Sequence, residues 1–239
     1  MIDLIRNFDE IYATKIAIGG YTSGLCGEWT EERFEKLAEL LEIDKSKILL
    51  ANEKHTDKIF VAKDLTQNFN EYFDAVITNE KGLMLCVHTA DCVPIALLDP
   101  TKKVIGIVHS GWRGSAKRIA GKTVKKMKEV YNCNPEDIIC SIGPYNHSCC
   151  YEVGEDVLDK FRETFSESEC EKLFHKKNDS EKYMLDLGAA VSISLCHEGV
   201  KPANIYDSGY CTYHTSVFSS WRRTRNEKKQ MITYIMLLN

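Results

Sequence analysis

The chain has 239 residues, of which 44% are hydrophobic and 28% are charged, and its formal net charge is -4 at pH 7. This composition is typical of a globular protein, and it excludes the basic stripe that nucleic-acid binding requires. No apolar run reaches the length of a transmembrane helix, and the first ten residues are acidic where a signal peptide would be basic. We therefore expect a cytoplasmic protein with no nucleic-acid or membrane partner, whose ten cysteines are mostly buried thiols.

The first third of the chain predicts one helix and several short strands. Apolar residues recur on one face over 30–42, which is typical of an amphipathic helix. Two short strand-like runs follow within 48–61, and His55 lies between them. Because nothing around His55 marks it as a ligand, its sequence context alone favours a histidine in a surface loop.

The segment 93–108 predicts a buried antiparallel hairpin. Its two apolar runs, 93–98 and 104–108, are joined by residues typical of a tight turn. Cys92 directly precedes the first run and His109 directly follows the second, so the hairpin returns both side chains to one edge of the sheet. A cysteine beside a histidine there predicts either a metal site or a thiolate with its base.

An anion site is predicted immediately after the hairpin. Gly111-Trp112-Arg113-Gly114 leads into a basic amphipathic pattern over 115–131, which we interpret as one helix. Arg113 and the free backbone N–H groups at the start of that helix would bind an anion.

The second half of the chain continues the alternation of helices and strands. A strand is expected at 138–142, an irregular surface segment at 166–182, a helix at 185–197 and a buried final strand at 231–238. The loop before residue 155 contains the adjacent Cys149 and Cys150. They could form a redox pair or a thiolate metal site, but adjacent residues rarely face one ion, so the sequence favours structural packing.

These elements predict an α/β (α+β) fold with a mixed sheet flanked by helices. No repeat, linker or low-complexity tract divides the sequence. We therefore expect a single domain over 1–239.

Several short motifs together identify a family resemblance. They are Asp74-Ala75-Val76-Ile77-Thr78, Thr89-Ala90-Asp91-Cys92, His109-Ser110-Gly111-Trp112-Arg113-Gly114, Gly143-Pro144, Cys149-Cys150-Tyr151-Glu152-Val153-Gly154, and Phe218-Ser219 with Arg222-Arg223. In this combination they resemble the YfiH/YlmD family, also called the laccase-domain or polyphenol oxidase family. The resemblance implies a YfiH-like domain that is a purine nucleoside phosphorylase with adenosine deaminase and methylthioadenosine phosphorylase activity, and hence purine nucleosides and phosphate as substrates.

The resemblance also implies a metal site formed by His55, Cys92 and His109. Glu53-Lys54-His55-Thr56 stands where the family has Gln-Val-His-Gly, so a carboxylate replaces an amide near the ion and could act as a base. Two imidazoles and one thiolate leave a fourth tetrahedral position open, as in catalytic zinc sites. Zinc is therefore the expected metal, with copper as the alternative.

The same site suggests how the implied reactions would proceed. Zinc lowers the pKa of a bound water toward neutrality, which is what adenosine deamination requires. Phosphorolysis requires an anion clamp, for which Arg113 is the candidate, assisted by Arg222 or Arg223. Asp91 is expected to orient a ligand imidazole or water from beside the site.

Three other functions remain open at this stage. The first is a metal-free hydrolase with Cys92 as nucleophile and His109 as base, which would suit an editing role on peptidoglycan precursors. The second is copper-dependent phenol oxidation, disfavoured because one His/His/Cys site has too few ligands for several coppers. The third is a non-enzymatic binding protein with a structural zinc, against which the open position counts.

Overall fold

The computed structural model describes residues 5–24, 31–63, 71–177, 180–226 and 228–239, without the side chains of 31–33. The helices are α1 Asp9–Tyr12, α2 Glu31–Leu40, α3 Trp112–Ala116, α4 Ile119–Tyr131, α5 Glu155–Arg162, α6 Glu167–Leu173, α7 Leu187–His197 and α8 Trp221–Thr224. The strands are β1 Ile5–Asn7, β2 Ala17–Thr22, β3 Ile48–Leu50, β4 Ile59–Val61, β5 Ala75–Thr78, β6 Met84–Thr89, β7 Val93–Asp99, β8 Val104–Ser110, β9 Ile139–Ile142, β10 Glu152–Val153, β11 Phe174–Lys176, β12 Tyr183–Leu185, β13 Ile205–Asp207 and β14 Met231–Leu237.

The strands form two large mixed sheets and one small antiparallel sheet. Their orders are β1-β2-β14-β6-β3, β13-β9-β7-β8-β5-β4 and β10-β12-β11. Parallel pairs occur in both large sheets, between β3 and β6, β4 and β5, and β13 and β9. The predicted α+β class with mixed strand pairing is confirmed.

The two large sheets pack against each other, and helices cover the second sheet. On β7, Ile95 and Leu97 face a core shared with α4 and α7, whereas Ala96 and Leu98 face the first sheet. Since both faces of β7 are buried, its sequence is a continuous apolar run rather than an alternating one. Among the described residues, no helix is both long and apolar enough to cross a bilayer.

The predicted hairpin is confirmed as β7 and β8. The strands pair antiparallel with Pro94 opposite His109, so Cys92 and His109 lie at the same end of the hairpin. At the other end Asp99 Oδ1 accepts hydrogen bonds from the backbone N–H groups of Thr101 and Lys102, at 2.9 and 2.8 Å. This Asx-type turn fixes the register and therefore which residues meet at the open end.

The prediction that one helix spans residues 115–131 is wrong. The structure has α3 and α4 in its place, separated at Arg118, whose φ of 59° is left-handed. The Arg118 guanidinium lies 4.0 Å from the Phe165 ring centroid and 3.0 Å from Glu169 Oε2. These tertiary contacts hold Arg118 in a conformation that interrupts the helix. The predicted anion site therefore lies on a five-residue helix with little dipole.

The irregular segment predicted over 166–182 is also partly wrong. Ser166 and Glu169 form a capping box that starts α6, and β11 follows directly. The Ser-x-x-Glu spacing is the sequence signal for this helix, and the surrounding charges obscured it.

Helix α2 matches the helix predicted over 30–42, except that Thr30 lies outside the described residues.

Replacing Leu97 by Ala should destabilise the protein by about 2–5 kcal/mol, because it leaves a cavity in the fully buried central strand. Chemical denaturation measures this change. The matched control is Leu40→Ala, whose side chain is 48% exposed and whose effect should stay within about 0.5 kcal/mol. Equal effects of the two substitutions would contradict the position assigned to β7.

Candidate metal centre and substrate cleft

His55, Cys92 and His109 meet at the open end of the β7–β8 hairpin. One donor atom from each lies within 4.8 Å of the other two, and the two imidazole centroids are 5.0 Å apart. His55 comes from the loop between β3 and β4, where it has a φ of 55° and an exposed side chain, while His109 is buried. The three residues implied by the family resemblance are thus brought together in a geometry that could hold a metal ion.

Asp74 connects the two histidines. Its Oδ1 lies 2.8 Å from His109 Nδ1 and also accepts a hydrogen bond of 2.9 Å from the His55 backbone N–H. Its Oδ2 accepts from the backbone N–H groups of Lys54 and Thr56, at 3.2 and 2.7 Å, and from the Thr56 hydroxyl at 2.7 Å. The carboxylate therefore orients the His109 ring with Nε2 toward Cys92 and fixes the loop that carries His55.

These contacts also shift the ionisation of the site. Burial raises the pKa of Asp74, but its hydrogen bonds from His109 and Thr56 outweigh burial and lower the pKa to about 2. Burial likewise raises the pKa of the Cys92 thiol, yet the charge and hydrogen bonds of His109 and His55 lower it to about 6. Cys92 is therefore a thiolate at neutral pH, which is the form that binds metal or attacks an electrophile.

Gly111 leaves the space in which these donors meet. A Cβ atom at this position would lie 2.7 Å from His55 Nδ1 and 3.0 Å from Cys92 Sγ. The first distance is shorter than real Cβ contacts and the second is unusually tight, so a side chain here would displace the donors and the close approach of the backbone to the site favours glycine. The Gly111-Trp112 turn of the family motif is explained in this way.

Asp91 holds the strained backbone beside Cys92. Its φ is 97°, a conformation that costs a non-glycine residue on the order of 1–3 kcal/mol. Its Oδ1 accepts from Thr212 Oγ1 at 2.7 Å, and its Oδ2 accepts from the Arg222 backbone N–H at 2.6 Å. Contrary to the sequence expectation, the carboxylate that contacts a histidine of the site is that of Asp74, whereas the carboxylate of Asp91 bonds the loop before α8 and the start of α8.

A cleft of about 680 Å³ opens above the three donors. This volume lies within the range of small-molecule sites. The residues that line it include aromatic, cationic and carboxylate side chains. The full lining is Glu53, Lys54, His55, His88, Thr89, Ala90, Asp91, Cys92, His109, Trp112, Arg113, Tyr151, Trp221, Arg222 and Gln230.

Glu53, the carboxylate that departs from the family motif, lines this cleft. Its Oε1 accepts a hydrogen bond of 2.7 Å from the His88 backbone N–H. Burial outweighs the lowering effects of the neighbouring His109 and of the His88 hydrogen bond, so the pKa of Glu53 is raised to about 7. The glutamate thus holds the end of β6 and also lines the cleft.

Of the three arginines considered for anion binding, two line the cleft. Arg113 is exposed and stacks 4.2 Å from the Trp112 ring centroid. Arg222 donates to the Glu152 carbonyl at 3.0 Å and lies 5.1 Å from the Tyr151 ring centroid. The Arg223 guanidinium instead donates to the carbonyls of Thr212, Tyr213 and Phe218, so it stabilises the loop before α8.

Asp74 and the aromatic residues of the cleft receive no role from the sequence, although Asp74, Trp112 and Tyr151 lie in motifs that carry the family resemblance. Asp74 directly precedes the apolar run of β5, and β5 pairs with β8, the strand that carries His109. Trp221 lies outside those motifs, and its place in the cleft depends on segments that are distant in sequence.

The chain is similar to known proteins along most of its length. Residues 26–238 match the model of a family described as multi-copper polyphenol oxidoreductase laccase. The purine nucleoside phosphorylase YlmD of Bacillus subtilis (strain 168) is 30% identical over 84% of this chain and 74% of that protein. The purine nucleoside phosphorylase of Aquifex aeolicus (strain VF5) is 34% identical over 81% and 84% of the two chains. The crystal structure of the hypothetical protein YfiH of Bacillus licheniformis superposes with a TM-score of 0.88, at 27% identity over 100% and 98%.

If the three donors hold a metal ion, replacing Asp74 by Asn should weaken its binding about 10- to 100-fold, with zinc as the probe, because the amide no longer holds His109 in one tautomer or supports the His55 loop with a charge. Competition against a chromophoric zinc chelator measures the affinity. The matched control is Asp159→Asn, an exposed carboxylate whose side chain is 61% accessible and whose loss should leave the affinity unchanged. Unaltered affinity in Asp74→Asn would contradict the orienting role.

Proposed function

The chain belongs to the multi-copper polyphenol oxidoreductase laccase family, and from this premise we propose that it is a zinc-dependent purine nucleoside phosphorylase that also deaminates adenosine and phosphorolyses methylthioadenosine. The resemblance to the YfiH/YlmD family is confirmed by the relatives named above. The observation that carries the proposal is the group of two imidazoles and one thiolate at the base of an aromatic and cationic cleft.

The donor set fits zinc as the metal. Within the described part of the chain, the group consists of His55, Cys92 and His109, so a tetrahedral ion held by them keeps one position for a small ligand. The thiolate character of Cys92 and the fixed orientation of His109 suit a borderline-soft divalent cation. Zinc bound there supplies a Lewis acid at the base of the cleft.

The aromatic side chains of the cleft fit the substrate base. Trp112, Tyr151 and Trp221 all line the cleft, and Trp221 is 40% exposed. A purine is a flat π system that stacks on such rings, at about 1–3 kcal/mol per base in single-stranded nucleic-acid binding. The rings would therefore hold the purine base in the cleft above the three donors.

The arginines of the cleft fit the second substrate, phosphate. In phosphorolysis an oxygen of dihydrogen phosphate bonds to the ribose C1′ as the bond from C1′ to the purine nitrogen breaks, and the base leaves with the proton that the phosphate gives up. Arg222 is preorganised by the Glu152 carbonyl and by the Tyr151 ring, so a bidentate contact with phosphate costs it little side-chain entropy. Arg113, on the exposed side of the cleft, is the candidate second cation.

A hydrolase is the second candidate, and one observation favours it. Cys92, His109 and Asp74 lie in the order nucleophile, base and orienting carboxylate, with Asp74 bonded to His109 Nδ1. This array would act on an acyl or amide group, as in peptidoglycan precursors, without a metal. His55 has no role in such a triad, whereas it completes the donor set for zinc. Copper-dependent phenol oxidation remains the weakest reading of the three-donor group.

The two candidates differ in how zinc affects alkylation. If Cys92 is a zinc ligand, stoichiometric zinc should protect it from iodoacetamide, because the lone pair of the thiolate is then committed to the metal. Peptide mass spectrometry of Cys92 after timed alkylation measures this, with Cys196 as an internal control outside the site. Inactivation that zinc does not slow would favour the hydrolase.

The zinc-loaded protein should release free purine base from adenosine, inosine and methylthioadenosine only when phosphate is present, and should form inosine from adenosine without phosphate. Liquid chromatography of the products measures both reactions. Cys92→Ala should lose both, and the control Cys196→Ser should keep both. Absence of base and of inosine, with metal bound stoichiometrically to the wild type, would contradict the proposal and make cell-wall precursors the next substrates.

Replacing Arg222 by Gln should raise the KM for phosphate roughly 10- to 100-fold, the loss expected for one charge-assisted contact. Phosphate-independent deamination of adenosine should change much less. Steady-state kinetics with varied phosphate measures the first effect. Arg162→Gln, which removes an exposed guanidinium on α5, is the matched control. An unchanged phosphate KM in Arg222→Gln would remove Arg222 from the phosphate site.

A further inference from the structure

A second cluster of metal-ligating side chains lies outside the three-donor site. It consists of Cys149, Cys150, Cys211 and His214, and one donor atom of each lies within 4.8 Å of all the others. The first two come from the loop between β9 and β10, and the other two come from the loop between β13 and α8. The proposed nucleoside chemistry uses none of the four.

The distances between these donors match a tetrahedral zinc site. Zinc–sulfur bonds of about 2.3 Å and zinc–nitrogen bonds of about 2.0 Å place sulfurs about 3.8 Å apart and sulfur and nitrogen about 3.5 Å apart in a tetrahedron. Cys149 Sγ lies 3.5 Å from Cys150 Sγ and 3.8 Å from Cys211 Sγ. His214 Nδ1 lies 3.7 Å from Cys149 Sγ and 3.8 Å from Cys150 Sγ. The spacing is therefore that of donors around one ion.

The surroundings of Cys211 also suit a metal ligand. Its sulfur accepts hydrogen bonds from the backbone N–H groups of His147, His214 and Tyr213. Hydrogen bonds donated by backbone N–H groups to the ligand sulfurs are common in thiolate metal sites, because they help to neutralise the charge of the ligands. Cys211 is buried, whereas Cys149 and His214 are exposed, so an ion can enter from solvent.

We propose that Cys149, Cys150, Cys211 and His214 bind a structural zinc ion that joins the loop between β9 and β10 to the loop between β13 and α8. Three cysteines and one histidine fill all four tetrahedral positions, which is the arrangement of structural rather than catalytic zinc. Zinc binding displaces the thiol protons to buffer, so the affinity falls as the pH is lowered. A disulfide would use only two of the sulfurs and would leave the third thiol and the imidazole without a role.

The joined loops carry residues that shape the cleft. Tyr151, which lines the cleft, directly follows Cys150, and Thr212, which directly follows Cys211, donates its hydroxyl to Asp91. The Asn146 backbone N–H donates to the Asp91 carbonyl at 3.0 Å, so both loops contact the residue beside Cys92. A zinc ion in the cluster would therefore fix the positions of Tyr151 and Asp91 without contacting the substrate.

Zinc content measured on the intact chain tests this site separately from the first. The protein is purified under reducing conditions, dialysed against a weak chelator, and analysed by elemental and native mass spectrometry. The wild type should retain two zinc ions per chain, and Cys150→Ser and His214→Asn should each lose one. Cys92→Ala should lose the other, and Cys92→Ala combined with His214→Asn should retain none.

The variants separate failure of this site from failure of the proposed function. Cys196→Ser removes a thiol outside both clusters and should keep two zinc ions. His214 is exposed, so His214→Asn tests the site even if Cys150→Ser fails to fold. A zinc content unchanged in His214→Asn would overturn the proposal. The proposal would also be overturned if the wild-type mass were two hydrogens below that of the reduced chain and peptide mapping found a disulfide at Cys149. Neither outcome depends on the result of the nucleoside assay.

Discussion

The arrangement of the three-donor site depends on the buried carboxylate of Asp74. This one side chain accepts hydrogen bonds from three consecutive backbone N–H groups of the His55 loop and contacts the ring of His109. A carboxylate in this position is stable only because these donors repay the cost of removing it from water, and they lower its pKa to about 2. The two histidines are therefore positioned by the same group, and a change at Asp74 affects both.

The fold supplies the other half of the geometry through the β7–β8 hairpin. Its antiparallel register places Cys92 and His109 at one end, and the absence of a side chain at Gly111 gives the donors room to meet. Asp91 then extends the constraint outward, because its strained backbone is held by bonds to Thr212 and Arg222 from the C-terminal half of the chain. Residues that are far apart in sequence thus line one cleft, and the three donors lie at its base.

Local sequence signals predicted the parts of the molecule that depend on short-range structure. The hairpin, the final strand β14 and the meeting of Cys92 with His109 follow from apolar runs, turn residues and antiparallel geometry. The break at Arg118 could not be predicted, because contacts with Phe165 and Glu169 from another part of the chain hold its backbone. His55 likewise carries no local signal that distinguishes it from a surface histidine, and only the family resemblance implies that it is a ligand. Its position is explained by the hydrogen bonds that its loop donates to Asp74.

The central claim is that His55, Cys92 and His109 together hold one zinc ion with a fourth position free for substrate or water. The most direct measurement is a crystal structure of the zinc-loaded protein with anomalous diffraction recorded on both sides of the zinc absorption edge. We expect an anomalous peak from a zinc ion coordinated by these three side chains, with a water or a bound anion as the fourth ligand. The absence of a peak at this position, or a fourth protein side chain bound to the ion, would contradict the claim.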